Sequence, residues 1–328
     1  MKNLKKISLV ALIFGIIVAT ALVGWFGAGK VTHAILSVGW HGFGVFCLWQ
    51  IAVMMFLGLP WWIVAPRGIG HAGPFVWGRM VRDSAGSCLP FSALGGFVLG
   101  ARAVSLCGIS WHVATISTIV DLTTEFAAEI MFAAIGLAIL LIDVHLPQLR
   151  LPAEIGLGVA MLALGAVIRL QHGIAPMFAA LGKRLLGPWI AEGRIDLGAE
   201  AELAATYGRK RILALGTAMH LIGWVGKGTG NWLAFHLLGV DMSFPAALAI
   251  EGLLHVALVV AVVIPGYAGV QEAGYIVLGG IFGAPADLCL AVSLIRRARD
   301  IAIGIPVLLV WQMVEVRRLK RRSPDGVQ

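Results

Sequence analysis

Phe244-Pro245-Ala246-Ala247-Leu248-Ala249-Ile250-Glu251-Gly252-Leu253-Leu254-His255-Val256-Ala257-Leu258-Val259-Val260-Ala261-Val262-Val263-Ile264 is an apolar run about one bilayer long. It breaks into Pro265-Gly266-Tyr267-Ala268-Gly269-Val270-Gln271-Glu272-Ala273. About 20 apolar residues in a helix cross a hydrocarbon core of roughly 30 Å. Such a core offers no water to a backbone freed by Pro and Gly, nor to an ion. A broken segment at that depth therefore lines a cavity or is buried in protein. Within about one further span comes Arg296-Arg297-Ala298-Arg299-Asp300, again inside apolar sequence.

The rest of the chain follows the same pattern. Of its 328 residues, 59% are hydrophobic and only 13% charged, where a soluble domain carries about twice that charge. Mean hydropathy is +0.91. Spans are expected at about 7–27, 43–64, 112–142, 153–171, 211–238, 244–264 and 287–314. Segments 84–108 and 265–283 are rich in Gly and begin with or contain Pro. The fold class is all-α: a polytopic bundle of about 8 transmembrane helices with at least one re-entrant or broken helix. The bundle is expected over 1–316, with a basic tail at 317–328. The long polar stretch 172–210 holds Phe178, Leu181, Leu185, Leu186 and Trp189 at helical spacing, which reads as an interfacial helix. Although residues 1–6 and the following apolar run resemble a signal peptide, the run is long enough to span, and an uncleaved first helix is expected.

Net charge is +8, but the basic residues sit in loops and tails, as topology signals do, so nucleic acid is not implied. Seventeen Lys and Arg fall in the N-tail, loop 65–83 (Arg67, Arg79, Arg82), loop 172–211 and the C-tail, against Lys30 and Arg150 on the other side. That asymmetry puts both termini in the cytoplasm and requires an even number of crossings. Segment 84–108 is then expected to be re-entrant and 265–283 to cross. The four cysteines are scattered and read as small core residues.

An internal pseudo-repeat is a candidate. Pro90 and Pro265 are each followed 18 residues on by Gly (Gly108, Gly283) and 35 residues on by an acid (Glu125, Asp300). Transporters built from repeats carry discontinuous helices at corresponding positions.

Ionisable residues within apolar surroundings mark the candidate site. Asp121, Glu125 and Glu129 recur every four residues along one helix face. Arg296 and Asp300 form an i, i+4 pair. Arg102, Lys227, Arg297, Arg299, Glu251 and Glu272 complete a set of six acids and five bases. Near balance implies pairing. One reading is that such pairs lock helices together; a groove for a polar lipid headgroup explains why there are so many. Arginine forks hold phosphate, and a carboxylate can carry a proton. Glu251 and His255 lie one turn apart, too few ligands for a metal, and no cofactor is implied. A nucleophile–base constellation is also lacking, so catalysis is not expected.

Pro265-Gly266-Tyr267-Ala268-Gly269-Val270-Gln271-Glu272-Ala273 resembles the P-G-x-x-G-x-x-E-A signature of the flippase-like family, which includes the transmembrane region of lysylphosphatidylglycerol synthases. Trp77-Gly78-Arg79-Met80-Val81-Arg82-Asp83, Leu89-Pro90-Phe91-Ser92-Ala93-Leu94-Gly95-Gly96-Phe97 and Ser293-Leu294-Ile295-Arg296-Arg297-Ala298-Arg299-Asp300 are similar to the hopanoid-biosynthesis-associated branch. The resemblance implies a bacterial inner-membrane protein that handles lipids, with membrane lipids and lipid-biosynthesis enzymes as partners. Aminoacyl transfer is not implied, since only a short basic tail follows Val316. The chain departs from the wider family at Gln271, a place often basic there, and at Leu94-Gly95-Gly96, where many relatives have Gly-Glu. The site expected from residues and resemblance together comprises Arg102, Asp121, Glu125, Pro265, Gly266, Gly269, Glu272, Arg296, Arg299 and Asp300. Three functions are weighed: a lipid translocase, a lipid-binding or scaffold protein of hopanoid or lipid biosynthesis, and a membrane enzyme acting on lipid.

Overall fold

The computed structural model describes residues 28–66, 68, 70–89, 92–144, 146–190, 198–261, 267 and 269–321, between 170 and 190 almost entirely as backbone. The span expected at 7–27, the residues Pro265 and Gly266, the side chains of the expected interfacial helix and the tail beyond Arg321 lie outside this description. Among the described residues there are ten helices and no strand. They are α1 (Ala28–Val64), α2 (Gly73–Cys88), α3 (Ser92–Leu106), α4 (Trp111–Asp143), α5 (Pro147–Ile190), α6 (Gly198–Tyr207), α7 (Lys210–Leu237), α8 (Phe244–Val260), α9 (Val270–Ile281) and α10 (Ala286–Arg321). Within these, Leu36–Val64, Trp111–Asp143 and Pro147–Val167 are long and apolar enough to cross a membrane. The protein is a polytopic membrane helix bundle.

Local chemistry sets several ends. Ser110 caps α4 by accepting from the Val113 amide at 3.2 Å, and Ser243 caps α8 by accepting from Ala246 at 3.3 Å. Pro74 and Pro245 sit in the first turns of their helices, where a missing N–H costs nothing. The 44 residues of α5 join the span expected at 153–171 to the stretch expected to form a separate interfacial helix.

Two helical hairpins decide the architecture. Helices α2 and α3, of 16 and 15 residues, pack side by side. At 1.5 Å per residue they reach about 24 and 22 Å, short of a full core. A Cβ at Gly96 would lie 2.8 Å from the Arg82 carbonyl oxygen, so only glycine permits this approach. The open end of the pair sits beside the C-terminal part of α10, where Arg318 donates to the Ser105 carbonyl at 3.0 Å. The turn end reaches the middle of α10: the Cys88 thiol contacts the Asp300 carbonyl at 3.5 Å. The expected re-entrant segment 84–108 thus falls on two short helices packed on one another, the first beginning earlier, at Gly73.

Helices α8 and α9 form the second hairpin, entering from the opposite end. Its open end packs near the start of α10, with Met242 and Ala284 in one buried cluster with Phe235. Its turn end also reaches mid-α10, where Gln271 donates to the Ser293 hydroxyl at 3.0 Å and Arg297 meets Glu272 at 3.1 Å. The described part of 265–283, expected to cross, is a helix too short to span a full hydrocarbon core by itself. A helix of 12 residues reaches about 18 Å, and it folds back along α8.

The element boundaries match the spacing of the candidate repeat. Shifted by the 175 residues from Pro90 to Pro265, α3 and α4 fall on 267–281 and 286–318, where α9 and α10 stand. Gly108 and Gly283, at the corresponding helix-to-helix turns, have φ of +96° and +85°. That left-handed backbone suits a glycine closing a helix. The two copies enter from opposite ends, so the relation is an inverted one.

Candidate functional site

The hairpin tips meet beside a cavity of about 410 Å³ lined by α1, α2, α3, α4, α7, α8, the α8–α9 connection, α9 and α10. Its cations are Arg79, Arg82, Lys227, Arg296, Arg297 and Arg299. Its carboxylates are Asp83, Glu125, Glu129, Glu251 and Asp300. Phe126 and Val259 also line it, and both are more than 40% exposed on the outer face of the bundle. The cavity thus has a charged floor and an apolar margin reaching the bundle surface.

One wall is a buried network between α2 and α4. Arg79 donates to Glu125 at 2.6 Å and to Asp83 at 3.0 Å. Arg82 donates to Asp121 at 2.8 Å and also to Glu125. The far side of Asp121 meets Nε2 of His220 at 2.9 Å. The Arg82 guanidinium also covers the Phe97 ring at 4.0 Å. This corrects the reading of Arg79 and Arg82 as loop charges. They lie on α2 at 1% and 6% exposure, so the positive-inside tally loses two of its seventeen residues. Pro74 at the start of the helix, and the i, i+3 spacing of the two arginines, were the available signals.

The opposite wall joins α8, α9 and α10. Arg296 forks onto Glu251, one arm at 2.9 Å, and donates to the Tyr275 hydroxyl at 2.8 Å. Tyr275 in turn donates to Asn231 at 3.1 Å, and Asn231 to the Ala247 carbonyl at 2.9 Å. Arg296 therefore does not make the i, i+4 pair with Asp300 expected from spacing. Asp300 is taken by its neighbour Arg299 at 2.7 Å, whose guanidinium sits 4.7 Å from the Phe46 ring. Glu251 takes Arg296 in a two-armed fork, which offsets the cost of desolvating both ions, and the Tyr275 hydroxyl accepts a further bond.

The expected site residues thus divide. Glu125, Arg296, Arg299 and Asp300 line the cavity. Asp121 lies fully buried behind Arg82. Glu272 sits behind the lining: one carboxylate oxygen accepts from the Gly269 amide at 2.8 Å, capping α9, and the other from Arg297. Gly269, at φ +80°, makes that cap. Beside it Tyr267 takes φ +54°, an uncommon conformation for a side chain of its size, and lines the cavity. Arg102 lies away from the cavity, paired with Glu315 at 2.7 Å and one-third exposed. Glu129, Lys227, Glu251 and His255, not among the expected site residues, are brought together here. Glu129 meets His255 at 3.2 Å, and Lys227 lies over the Trp224 ring at 4.0 Å. No group of three or more His, Cys, Asp or Glu among the described residues is placed to hold a metal.

Residues 12–307 match the family of the lysylphosphatidylglycerol synthase transmembrane region. The chain belongs to this family. The lysylphosphatidylglycerol synthase transmembrane-region match takes in both hairpins and every residue that lines the cavity. It marks a membrane protein related to lipid handling. No curated protein and no solved structure matches the chain.

Proposed function

We propose that this chain is a translocase of the bacterial inner membrane that carries the headgroup of a polar lipid through the charged cavity. One observation carries the reading: two re-entrant hairpins from opposite ends of the bundle meet at a polar cavity whose margin, at Phe126 and Val259, reaches the outer surface. A lipid occupying such a place keeps its chains in hydrocarbon and its headgroup among ions. Inverted repeats with binding at mid-depth favour alternating exposure to the two sides. In this reading Arg296 and Arg299 hold the headgroup, Glu125 and Asp300 balance charge, and Gly269 and Glu272 shape the tip of the second hairpin. Arg102 serves the outer end of the first hairpin. Similarity of the Trp77–Asp83 and Ser293–Asp300 stretches to the hopanoid-associated branch makes a hopanoid the first lipid to try. Both termini face the cytoplasm in this scheme, by the charge asymmetry.

A second reading, a lipid-binding scaffold, is favoured by the Arg79–Glu125–Arg82–Asp121–His220 network, whose saturation suits a static lock. The two separate in proteoliposomes carrying a fluorescent polar lipid in one leaflet. Translocation accelerates exchange between leaflets over protein-free vesicles. No acceleration with any polar lipid tried, hopanoids included, leaves the scaffold.

A further inference from the structure

The charged groups of the cavity fall into two kinds. Arg79, Arg82, Arg296 and Arg299 are each paired with carboxylates. A guanidinium stays charged at any ordinary pH, so those pairs are electrically fixed. Glu129, His255 and Lys227 are different. Glu129 of α4 faces His255 of α8 at 3.2 Å, a carboxyl–imidazole pair with no arginine in it, so either partner is able to gain or lose a proton. Lys227 of α7 has a ring, not a carboxylate, as its recorded partner: it stands 4.0 Å above Trp224, whose edge meets His255 at 4.3 Å. All three line the cavity.

We propose, resting on the translocase reading, that Lys227 receives an anionic phosphate ester and that the Glu129–His255 pair takes up a proton from water as it arrives. The reason is electrostatic. The positive charge of Lys227 acts on both members of the pair. An anion seated on Lys227 offsets that charge, so the field that favours ionised Glu129 and neutral His255 is removed. Proton uptake is then favoured, and by linkage a bound proton favours the anion equally. The remaining charged or titratable groups lining the cavity with the pair are Arg79, Arg82 and Asp83 from α2, Glu125 from α4, Glu251 from α8, Tyr267 from the second tip and Arg296, Arg297, Arg299 and Asp300 from α10. The arginines keep their charge through the exchange, and Glu125 and Glu251 are each paired with them. The mobile charge is left to Glu129 and His255.

The test uses full-length protein in detergent with weak buffer and a pH-sensitive dye, between about pH 5 and 8. Dioctanoylphosphatidylglycerol is expected to bind with uptake of protons, up to one per chain, and dioctanoylphosphatidylcholine without it. Inorganic phosphate is run in parallel; uptake with either anion supports the site and tells which source fits it. Lys227→Gln should weaken binding of the anion roughly tenfold or more, the loss of one charge-assisted contact. Glu129→Gln should abolish the uptake, while Glu154→Gln, at an exposed i, i+4 pair, should not. Anion binding with no proton exchange, or exchange unchanged in Glu129→Gln, overturns the proposal. A second measurement needs no ligand: the infrared absorption of a protonated carboxyl should grow as pH falls in the wild type and be lost in Glu129→Gln. Its absence from the wild type also overturns the proton site. Exchange of lipid between leaflets without either signal would leave the translocase reading standing and this one failed.

Discussion

Arg296 of α10 and Glu251 of α8 face each other in a forked ion pair, one arm at 2.9 Å, with the glutamate 1% exposed. It ties the second hairpin to the helix that both hairpins meet. The Tyr275 hydroxyl accepts from the same guanidinium, so the pair also holds α9. Removing either partner leaves the other charge buried and uncompensated, which is worse than removing both.

Glu251→Ala and Arg296→Ala should each cost about 3–5 kcal/mol of stability, and the double change to Leu and Met distinctly less than the sum. Thermal unfolding in detergent, followed by loss of monodisperse elution, measures this. Equal and additive losses would contradict a coupled pair.

Arg102 and Glu315 provide the contrast. Arg102 is one-third exposed, and such a pair is worth only about 0–1 kcal/mol. Arg102→Ala should therefore shift the unfolding temperature little in the assay where Arg82→Ala, at a site 6% exposed with two carboxylates, is severe.

Gly96→Leu should force the first hairpin open. A Cβ there already meets the Arg82 carbonyl at 2.8 Å, and a larger chain has nowhere to go. Overpacking typically costs 1–3 kcal/mol. A cysteine cross-link between α2 and α3, formed in the parent and lost in Gly96→Leu, reads the displacement directly.

The hairpins predict a labelling pattern. Exposed Cys107 lies at the open end of the first hairpin, beside the helix end that carries the C-tail, whereas Asp241 lies at the open end of the second. In inverted and right-side-out vesicles, a membrane-impermeant maleimide should reach Cys107 and an Asp241→Cys substitution from opposite faces. Labelling of both from one face would rule out hairpins of opposite entry.

Much of this was legible in the residues. Span 112–142 is α4 within a residue at each end, and 211–238 is α7. Each Pro break lies between two helices that pack on one another, and Gly108 and Gly283 share a left-handed backbone conformation. Hydropathy could not see that Arg79 and Arg82 are buried, because a window average treats two charges near a span as a loop. Nor could spacing reveal the partner of Arg296, which lies 45 residues away.

The sequence by itself determined the class and the inventory: an all-α membrane bundle, two Pro/Gly breaks, and more ions than hydrocarbon tolerates unpaired. Those properties are local, because burying a backbone or an ion in lipid has the same cost wherever the chain goes next. The tertiary structure alone decided which ion meets which, that the short helices flanking each break pack side by side, and that Glu129, His255 and Lys227 share one cavity. Pairing depends on which helix faces pack together at a given depth, and that follows from contacts between segments far apart in the chain.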